Sequence, residues 1–449
     1  MYDLGIIGGG PAGYVAAERA GKNGLKVVLF EKKSLGGVCL NEGCIPTKTL
    51  LYSAKIFDTA KNGAKYGISA NEVSCEFEKL MARKNKTVKK LVAGVGAKMK
   101  ANKVEVVPAN AQVVQRNSDN ILLEANDQQY ECKNILVCTG SEAAIPPIKG
   151  LERDKILTNS EILMLEKVPE SLVIIGGGVI GTEFASFFNS LGTRVTVIEM
   201  LDEILTGMDV EISTMFRKEL TKKGVEFHMG AKVTEISGNT VSFEKDGNVL
   251  QAKGEQILVS TGRKPIVDGF GLEKLGVELY KGGIKIDGNC RTNIPNVYAA
   301  GDVTGFSLLA HTASREGEVA VNHICGKKDS MRYRAIPGVV YTNPEVSGVG
   351  LTEEEAKKKG IDYEIQKLPM TYAGRFVAEN EGFNGLCKVL VGKEFQQVLG
   401  VHMIGNPSSE IIYGAVMAIE YEMTIKELEE VVFPHPTVSE IFKETIFSF

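Results

Sequence analysis

The chain contains one short motif twice, a buried strand followed by a glycine-rich turn, and this repeat constrains the fold more than any other feature. In the first copy a strand pattern over 3–7 leads into the turn GGGPAG at residues 8–13. A helical pattern then runs to about Lys22, and a second strand pattern over 26–31 ends on Glu31. This order of strand, tight turn, helix and strand predicts the start of a Rossmann-like βαβ unit.

The second copy repeats this plan over residues 172–199, with the turn GGGVIG at 176–181 and a helical pattern to about Ser190. In both copies a glutamate, Glu31 or Glu199, lies 23 residues after the first glycine of the turn. The glycines permit close approach to a pyrophosphate, the helix N-terminus supplies amide donors, and the glutamate accepts a ribose hydroxyl. One such turn is weak evidence, because glycine-rich turns occur in other α/β proteins. Two copies in the same context indicate two dinucleotide sites.

Each copy closes on a similar strand, ILVCTG over 135–140 and ILVSTG over 257–262. The first glycine of the turn and the closing glycine are separated by 132 residues in the first copy and by 86 in the second. The first copy therefore carries an insertion of 46 residues. The part of the chain that holds this insertion carries a pair of cysteines and a long helical pattern from about Lys48 to Ala101.

The remainder of the chain contains no further nucleotide motif. A buried strand pattern ends on Asp302 and precedes a helical pattern from His311 to Cys325, and mixed strand and helix patterns follow from about Ala335. We predict an α/β protein with two Rossmann-like dinucleotide-binding domains and an additional α+β domain at the C-terminus. The expected domain limits are 1–141 and 142–264 for the two dinucleotide domains, 265–334 for a central region returning to the first, and 335–449 for the C-terminal domain.

Cys39 and Cys44 lie five residues apart within the insertion. On a regular α-helix this spacing puts the Cα atoms roughly 8–9 Å apart, whereas a disulfide needs less than about 7 Å. The backbone must therefore leave helical geometry between the two cysteines, and the glycines at 36, 37 and 43 with the proline at 46 suit such a departure. A bridge held there would be reduced more easily than a structural one. Two unrelated buried thiols and a zinc site are the alternatives, although no second cysteine pair or histidine cluster accompanies them.

Charge and hydropathy restrict the possible partners and location. The chain has 52 basic and 56 acidic residues, which argues against a nucleic acid or an anionic membrane as partner. No apolar run approaches the roughly 18–20 residues that span a bilayer, and the first strand pattern starts at Asp3 with no secretory leader before it. We expect a cytoplasmic location, where a persistent disulfide is usually catalytic. The remaining cysteines are expected to be small buried side chains: Cys75, Cys132, Cys138, Cys290, Cys325 and Cys387.

A dithiol that exchanges protons near neutral pH needs a base, and histidine is the natural candidate. Among the five histidines only His435 has a distinctive setting, because it lies between two prolines and five residues before Glu440. Glu440 can orient the imidazole. It can equally belong to a capping box over 437–440 that opens a helix over 438–447.

The second dinucleotide site is predicted to select NAD over NADP. Glu199 occupies the position that reads the adenosine ribose, where a carboxylate bonds the 2′-hydroxyl and repels a 2′-phosphate. The following residues, 200–206, include two acidic side chains and no basic one. A site for the 2′-phosphate should contain an arginine.

Taken together, these motifs resemble the flavoprotein disulfide reductases, members of the pyridine nucleotide-disulfide oxidoreductase family, and most closely the dihydrolipoamide dehydrogenase branch. The resemblance rests on residues 8–13, 36–48, 176–181, 301–302 and 435–440, which span nearly the whole chain. It implies an enzyme that oxidises protein-bound dihydrolipoamide to lipoamide and reduces NAD, with FAD in the first site and NAD in the second. It also implies a homodimer joined through residues 335–449. The lipoyl carrier would be a separate chain, from a 2-oxo acid dehydrogenase complex or the glycine cleavage system.

The resemblance assigns roles to individual residues. Cys39 is the thiol that exchanges with substrate, Cys44 faces the flavin, and Lys48 lies near the flavin's reactive nitrogen with Glu183 as its carboxylate partner. His435 reaches the dithiol of the other subunit across the dimer interface, and Glu440 orients it. The full set of expected cofactor contacts is Gly8, Gly10, Gly13, Glu31, Lys48, Ala111, Gly140, Asp302, Ala310, Gly176, Gly178, Gly181, Glu183, Glu199 and Gly262.

Related reductases fit the sequence less well. Glutathione reductase uses NADP, and the basic residues that this requires are missing after Glu199. Large thioredoxin reductases and mercuric reductase carry an additional redox pair near the C-terminus, whereas the last cysteine here is Cys387. Soluble transhydrogenase lacks the first cysteine of the pair, which is present as Cys39. A flavin-bearing structural subunit is a further alternative, against which the intact dithiol and His435 argue.

Overall fold

The computed structural model describes residues 1–117, 119–152 and 156–449. The chain forms two compact units, each assembled from three separate stretches. The first unit comprises Met1–Thr49, Met81–Ile145 and Gly262–Arg332, and the second unit comprises Leu50–Leu80, Pro146–Thr261 and Tyr333–Phe449.

Residues 1–145 begin with the expected strand, turn, helix and strand. The elements are β1 (Tyr2–Ile7), α1 (Pro11–Lys22), β2 (Val27–Phe30), α2 (Gly37–Asn41), α3 (Cys44–Lys61), α4 (Phe77–Ala101), β3 (Glu105–Val107), β4 (Gln112–Arg116), β5 (Ile121–Ala125), β6 (Gln128–Val137) and β7 (Ser141–Ala143). The sheet order is β3-β2-β1-β6-β5-β4, with β1 parallel to both β2 and β6. All four residues of β2 are buried, as expected for a parallel strand that is covered on both faces.

Residues 156–261 contain the second copy of the motif. The elements are α5 (Asn159–Ile162), β8 (Ser171–Ile175), α6 (Val179–Ser190), β9 (Arg194–Ile198), α7 (Val210–Lys222), β10 (Glu226–His228), β11 (Lys232–Ser237), β12 (Thr240–Lys245), β13 (Asn248–Lys253) and β14 (Gln256–Val259). A parallel sheet has the order β10-β9-β8-β14, and β11, β12 and β13 form a separate antiparallel sheet.

Residues 262–332 extend the sheet of the first unit. The elements are β15 (Arg263–Pro265), β16 (Leu279–Tyr280), β17 (Gly283–Ile284), β18 (Val297–Ala299) and α8 (Ala310–Ile324). Strand β18 pairs in parallel with β6, and β15 pairs antiparallel with β7. Helix α8 packs closely on α1, since a Cβ at Gly317 would lie 2.5 Å from the carbonyl oxygen of Ala12. The end of β18 is therefore fixed beside the first glycine-rich turn.

Residues 333–449 form the C-terminal part of the second unit. The elements are β19 (Gly338–Val340), β20 (Val346–Gly350), α9 (Glu353–Lys358), β21 (Tyr363–Leu368), α10 (Gly374–Glu379), β22 (Leu386–Gly392), β23 (Val398–Ile404), α11 (Ser408–Glu420), α12 (Ile425–Glu429) and α13 (Glu440–Ile446). The five strands form an antiparallel sheet of order β19-β20-β23-β22-β21. Side chains of β22 and β23 share one apolar core with α11 and α13.

The predicted fold class is confirmed. A mixed sheet and a second, parallel sheet each contain a strand that leads into a glycine-rich turn, and an antiparallel α+β region ends the chain. The prediction of one long helix over 48–101 was wrong in part. Helices α3 and α4 are separate, and a 3₁₀ turn over Gly63–Tyr66 follows α3. Gly67 ends that turn with φ +74°, a left-handed conformation that interrupts helical geometry.

Candidate active site

The first glycine-rich turn is as tightly packed as its sequence predicts. Gly8 has φ +108°, and a Cβ there would lie 2.2 Å from the carbonyl oxygen of Cys138. A Cβ at Gly13 would lie 1.9 Å from the carbonyl oxygen of Gly8. Gly10 is the N-cap residue of α1 and has an extended backbone conformation, so the first backbone amides of the helix directly follow the turn. Only glycine fits at positions 8 and 13, and the free helix N-terminus is suited to an anionic pyrophosphate.

The second turn reproduces this geometry. A Cβ at Gly176 would lie 2.5 Å from the carbonyl oxygen of Ser260, and one at Gly181 would lie 2.1 Å from the carbonyl oxygen of Gly176. Gly178 caps α6 with φ −70° and ψ −176°, close to the −73° and −172° of Gly10. A Cβ at Gly178 would meet no atom within 4 Å, which leaves room for a ligand beside the helix terminus.

Both glutamates are held by backbone amides in the same pattern. Glu31 accepts from the N–H groups of Gly9 at 2.8 Å and Lys33 at 2.7 Å, one on each oxygen. Glu199 accepts from the amides of Gly177 at 2.6 Å and Leu201 at 2.8 Å. A carboxylate has about four acceptor positions, so each side chain is oriented and can still receive a ribose hydroxyl. The residues present therefore fit a dinucleotide at each turn.

The segment that carries the cysteines is anchored to the first turn. The amide of Gly36 donates to the carbonyl oxygen of Gly9 at 2.8 Å. Gly37, with φ +57°, starts α2, and a Cβ there would lie 2.7 Å from the Cα of Gly10. This close backbone contact, which requires glycine at position 37, places the dithiol segment beside the first turn.

The helix breaks between the two cysteines, as the disulfide geometry requires. Helix α2 ends at Asn41, Glu42 has φ −133° and ψ 16°, and α3 begins at Cys44. The side chain of Cys39 is hydrogen-bonded to that of Cys44. This bond and burial raise the pKa of the Cys39 thiol, whereas the charge of Lys48 opposes the rise. The pair is thus in contact, with a cation one turn further along α3.

Asp302 lies in a 3₁₀ turn directly after β18, where its carboxylate is about three-quarters buried. Its Oδ2 accepts from the hydroxyl of Ser141 at 2.5 Å, and the guanidinium of Arg263 lies 3.8 Å away. Burial raises the pKa of Asp302, and the Ser141 hydrogen bond and the Arg263 charge counteract it. Ser141 and Arg263 were not predicted from the sequence. Each is the residue immediately after a closing glycine, Gly140 or Gly262, and that shared position was an available signal.

Lys48 lies in the first unit and Glu183 in the second. Lys48 is half-buried on α3, four residues after Cys44. Glu183 on α6 is 3 % exposed and accepts from the backbone amide of Tyr341 at 3.1 Å. Their pairing remains a prediction. The amide of Tyr341 was not anticipated, because nothing local in the sequence links it to α6.

His435 and Glu440 are hydrogen-bonded, with Nδ1 of the imidazole 2.9 Å from Oε1 of the carboxylate. The other oxygen of Glu440 accepts from the amide of Thr437 at 2.9 Å. The Thr437 amide, followed by His435, lowers the pKa of Glu440. The imidazole itself is exposed, with 80 % of its side chain accessible. A positioned imidazole whose second nitrogen is open can exchange protons.

The expected capping box is half formed, because Glu440 Oε2 accepts from the Thr437 amide but the Thr437 side chain does not accept from the helix, and the expected helix start was wrong. Helix α13 begins at Glu440 rather than Val438, and no side chain caps its first turn. The hydroxyl of Thr437 donates instead to the carbonyl oxygen of Pro434 at 2.9 Å. Glu440 is therefore shared between the Thr437 amide and the imidazole.

The remaining predicted contacts lie at element ends. Ala111 is 1 % exposed and directly precedes β4, and Ala310 is the first residue of α8. Gly140 and Gly262 have φ values of +75° and +120°, and a Cβ at either would meet no atom within 4 Å. Within the described ranges, no group of three or more His, Cys, Asp or Glu side chains is arranged to hold a metal ion. None of the helices described is long and apolar enough to cross a membrane.

Comparison with known proteins places these features in a family. Residues 2–317 match the family pattern described as pyridine nucleotide-disulphide oxidoreductase, and residues 336–446 match its dimerisation domain. A dihydrolipoyl dehydrogenase of Bacillus subtilis (strain 168) is 40 % identical, covering 98 % of this chain and 95 % of its own. One from Geobacillus stearothermophilus is also 40 % identical, covering 98 % and 94 %.

Solved structures agree with this relationship. The crystal structure of LpdA from Mycobacterium tuberculosis has a TM-score of 0.91 at 25 % identity and covers 99 % of both chains. The HOCl-induced flavoprotein disulfide reductase RclA from Escherichia coli has a TM-score of 0.87 at 27 % identity, also with 99 % of both chains covered. The chain therefore belongs to the pyridine nucleotide-disulphide oxidoreductase family.

Proposed function

We propose that this protein is an NAD-dependent dihydrolipoyl dehydrogenase, a flavoprotein that oxidises carrier-bound dihydrolipoamide to lipoamide. The observation that carries the proposal is the contact between Cys39 and Cys44, on a segment anchored to the first glycine-rich turn. Relatives of 36–40 % identity over at least 98 % of the chain that bear this name support it.

Two cofactors follow from the two turns, FAD at the first and NAD at the second. We assign FAD to the first turn because the dithiol segment is joined to it and the ribityl-binding candidate Asp302 lies in the same unit. Glu31 and Glu199 would each hold an adenosine ribose, since both carboxylates are fixed by amides beside their turns. Bound FAD would supply the route by which an electron pair passes from the dithiol to NAD.

The dithiol performs the exchange with substrate. A thiolate of dihydrolipoamide attacks Sγ of Cys39 in the oxidised pair, the Cys39–Cys44 bond breaks, and Cys44 departs as a thiolate. The second substrate thiolate then attacks the mixed disulfide, Cys39 departs as a thiolate, and lipoamide is released with its own disulfide. The substrate loses two electrons, which the cysteine pair gains. The positive charge of Lys48 favours the thiolate form at this pair.

His435 accepts the protons released by the substrate thiols. Glu440 fixes the imidazole through Nδ1, which leaves Nε2 to act as the base. We infer that the protein acts as a homodimer through residues 335–449, and that each dithiol is served by the partner subunit's His435. The match of residues 336–446 to a dimerisation domain supports this arrangement.

The carrier and location complete the proposal. A lipoyl-bearing protein of a 2-oxo acid dehydrogenase complex or of the glycine cleavage system would present the substrate on its swinging arm, in the cytoplasm. Neither nucleic acid nor membrane is part of the proposed activity. Glu199 and the acidic residues after it favour NAD over NADP by orders of magnitude in kcat/KM.

An anaerobic titration of the purified protein with dihydrolipoamide, followed through the flavin spectrum, tests the proposal. We expect a long-wavelength band at two-electron reduction, which reports a thiolate beside the flavin. Cys44→Ser should abolish both the band and lipoamide turnover but retain some NADH-to-dye activity. Cys75→Ser, outside the site, serves as the matched control and should behave like the parent protein. A yellow protein without lipoamide activity would instead support a purely structural flavoprotein subunit.

A further inference from the structure

Arg263 has a position that the proposed chemistry leaves unexplained. It begins β15, directly after the closing glycine of the second copy, and its side chain is only 13 % exposed. Buried arginines require partners, because their charge cannot be removed at physiological pH. The groups whose charges act on it are Asp302, Glu42, Cys44 and Glu142, in decreasing order. All of these belong to the first unit.

The guanidinium is locked onto Ser141 by two hydrogen bonds. Nε donates to the Ser141 hydroxyl oxygen at 2.7 Å, and Nη2 donates to its carbonyl oxygen at 2.7 Å. The antiparallel pairing of β15 with β7 brings the two residues together. The hydroxyl in turn donates to Oδ2 of Asp302 at 2.5 Å. Arg263 occupies one acceptor position of the Ser141 hydroxyl oxygen. The proton of this hydroxyl therefore points at the Asp302 carboxylate.

The segment that carries Asp302 is also held by a side chain of helix α8. Glu316 on α8 is fully buried, and its Oε2 accepts from the amide of Gly301 at 2.6 Å. Gly301 has φ +82°, and the hydroxyl of Thr304 donates to its carbonyl oxygen at 3.0 Å. The backbone before Asp302 is therefore fixed by one buried carboxylate, and the side chain of Asp302 is fixed by Ser141.

We propose that Arg263 is a positioning residue for the flavin, which acts through Ser141 to fix the Asp302 carboxylate that receives the ribityl hydroxyls. This inference rests on the proposed function, because it takes FAD as the ligand of the first unit. Arg263 does not touch the reacting atoms in this scheme. It maintains the charge and the direction of the acceptor that does bind the cofactor.

The electrostatics give the proposal a distinctive pH signature. Burial raises the pKa of Asp302, and the opposing influences are the Ser141 hydrogen bond and the Arg263 charge. Removing the guanidinium would raise that pKa further, so that Asp302 becomes protonated at a higher pH than in the parent protein. Protonation would remove a charged acceptor from the ribityl chain. Raising the pH would restore the charge of Asp302 and with it the binding of FAD. A packing defect would not respond to pH in this way.

FAD release from the holoenzyme tests the proposal without reference to turnover. We would follow the rise in flavin fluorescence after dilution of the parent protein, Arg263→Met and Arg263→Lys across pH 6 to 9. Arg263→Met should release FAD roughly 10- to 100-fold faster at the acidic end of this range, the size of one lost charge-assisted hydrogen bond, and the acceleration should shrink as the pH rises. Arg263→Lys retains the charge and should keep the pH profile of the parent.

Two further variants keep the test decisive. Ser141→Ala removes only the bridging hydroxyl and should also release FAD faster, so it replaces Arg263→Met if that protein does not fold. Arg291→Met removes an exposed arginine paired with Asp287 in the same unit and should release FAD at the parent rate. Parent-like release and pH profile in Arg263→Met would overturn the proposal, as would acceleration equal at every pH. If the parent protein bound no FAD at all, the proposed function itself would fail.

Discussion

Lys388 is the most deeply buried ammonium group described in the second unit, and its removal should cost more stability than that of any exposed cation. Its side chain is 1 % exposed, and Nζ lies 2.8 Å from Asp209, 2.9 Å from Glu353 and 3.3 Å from Glu211. Asp209 is completely buried. Lys388→Met would leave that carboxylate without its countercharge in a site closed to water. Breaking a buried pair from one side costs about 3–5 kcal/mol, which corresponds to roughly 6–20 °C in the melting temperature of a unit of this size.

The experiment compares the thermal unfolding of three variants with that of the parent protein. Lys388→Met should show the full loss. The double variant Asp209→Asn, Lys388→Met should recover part of it, because the buried charge is gone and asparagine can still cap α7 as Asp209 does. Lys285→Met, which removes an exposed pair with Glu278, should change stability by less than about 1 kcal/mol. If Lys388→Met unfolds within 2 °C of the parent, or the double variant is no more stable than the single one, the assignment of the cost to an unpaired buried carboxylate is wrong.

Four other predictions address the sites and the pH dependence. Gly13→Ala should reduce the flavin absorbance per protein at least 10-fold, because the new Cβ collides with a carbonyl oxygen at 1.9 Å, whereas Gly94→Ala, with open space around it, should not. Glu199→Ala should raise the NADP-to-NAD ratio of kcat/KM by roughly 10- to 100-fold, because a repulsive charge is lost; an unchanged ratio would contradict the assigned ribose contact. Glu440→Ala should lower lipoamide turnover by roughly 100-fold and leave NADH-to-dye activity intact; an equal loss of both activities would indicate a structural role. The pKa of Glu353 is lowered from 4.5 to about 2, by Lys357 and then Lys388. The contribution of this ionised carboxylate to folding stability is therefore complete above pH 4.5 and lost as the pH falls through 2. Acid unfolding of the parent should show this loss, and Lys388→Met should show less of it.

Much of the fold and part of the site could be read from the sequence because the relevant physics is local. The turns at Gly8 and Gly176 need glycine for their own backbone geometry, and the position of each glutamate follows from the length of one helix and one strand. The helix break before Cys44 follows from the spacing of two cysteines and the length of a disulfide. Interactions between residues a few positions apart can be predicted from the local sequence alone.

The half-formed capping box shows a limit of prediction from the local sequence. The sequence over 437–440 permits the full box, and the structure contains its bond from the Thr437 amide to Glu440. The hydroxyl of Thr437 donates instead to Pro434, and the other carboxylate oxygen of Glu440 bonds His435. Several hydrogen-bonding arrangements of similar energy are available to such a segment. The surrounding chain determines which arrangement forms, and the motif alone does not predict it.

The sequence by itself determined that two dinucleotide turns exist, that a dithiol accompanies the first, and which family of folds joins them. Only the tertiary structure decided that Arg263 would bind Ser141, 122 residues away, and that Ser141 would bind Asp302, 161 residues away. Only the tertiary structure brought the Glu316 carboxylate to the amide of Gly301, and Nζ of Lys388 to within 3.3 Å of three carboxylates. Short-range geometry is fixed by the residues that adopt it, whereas a contact between distant residues depends on the path of all the chain between them.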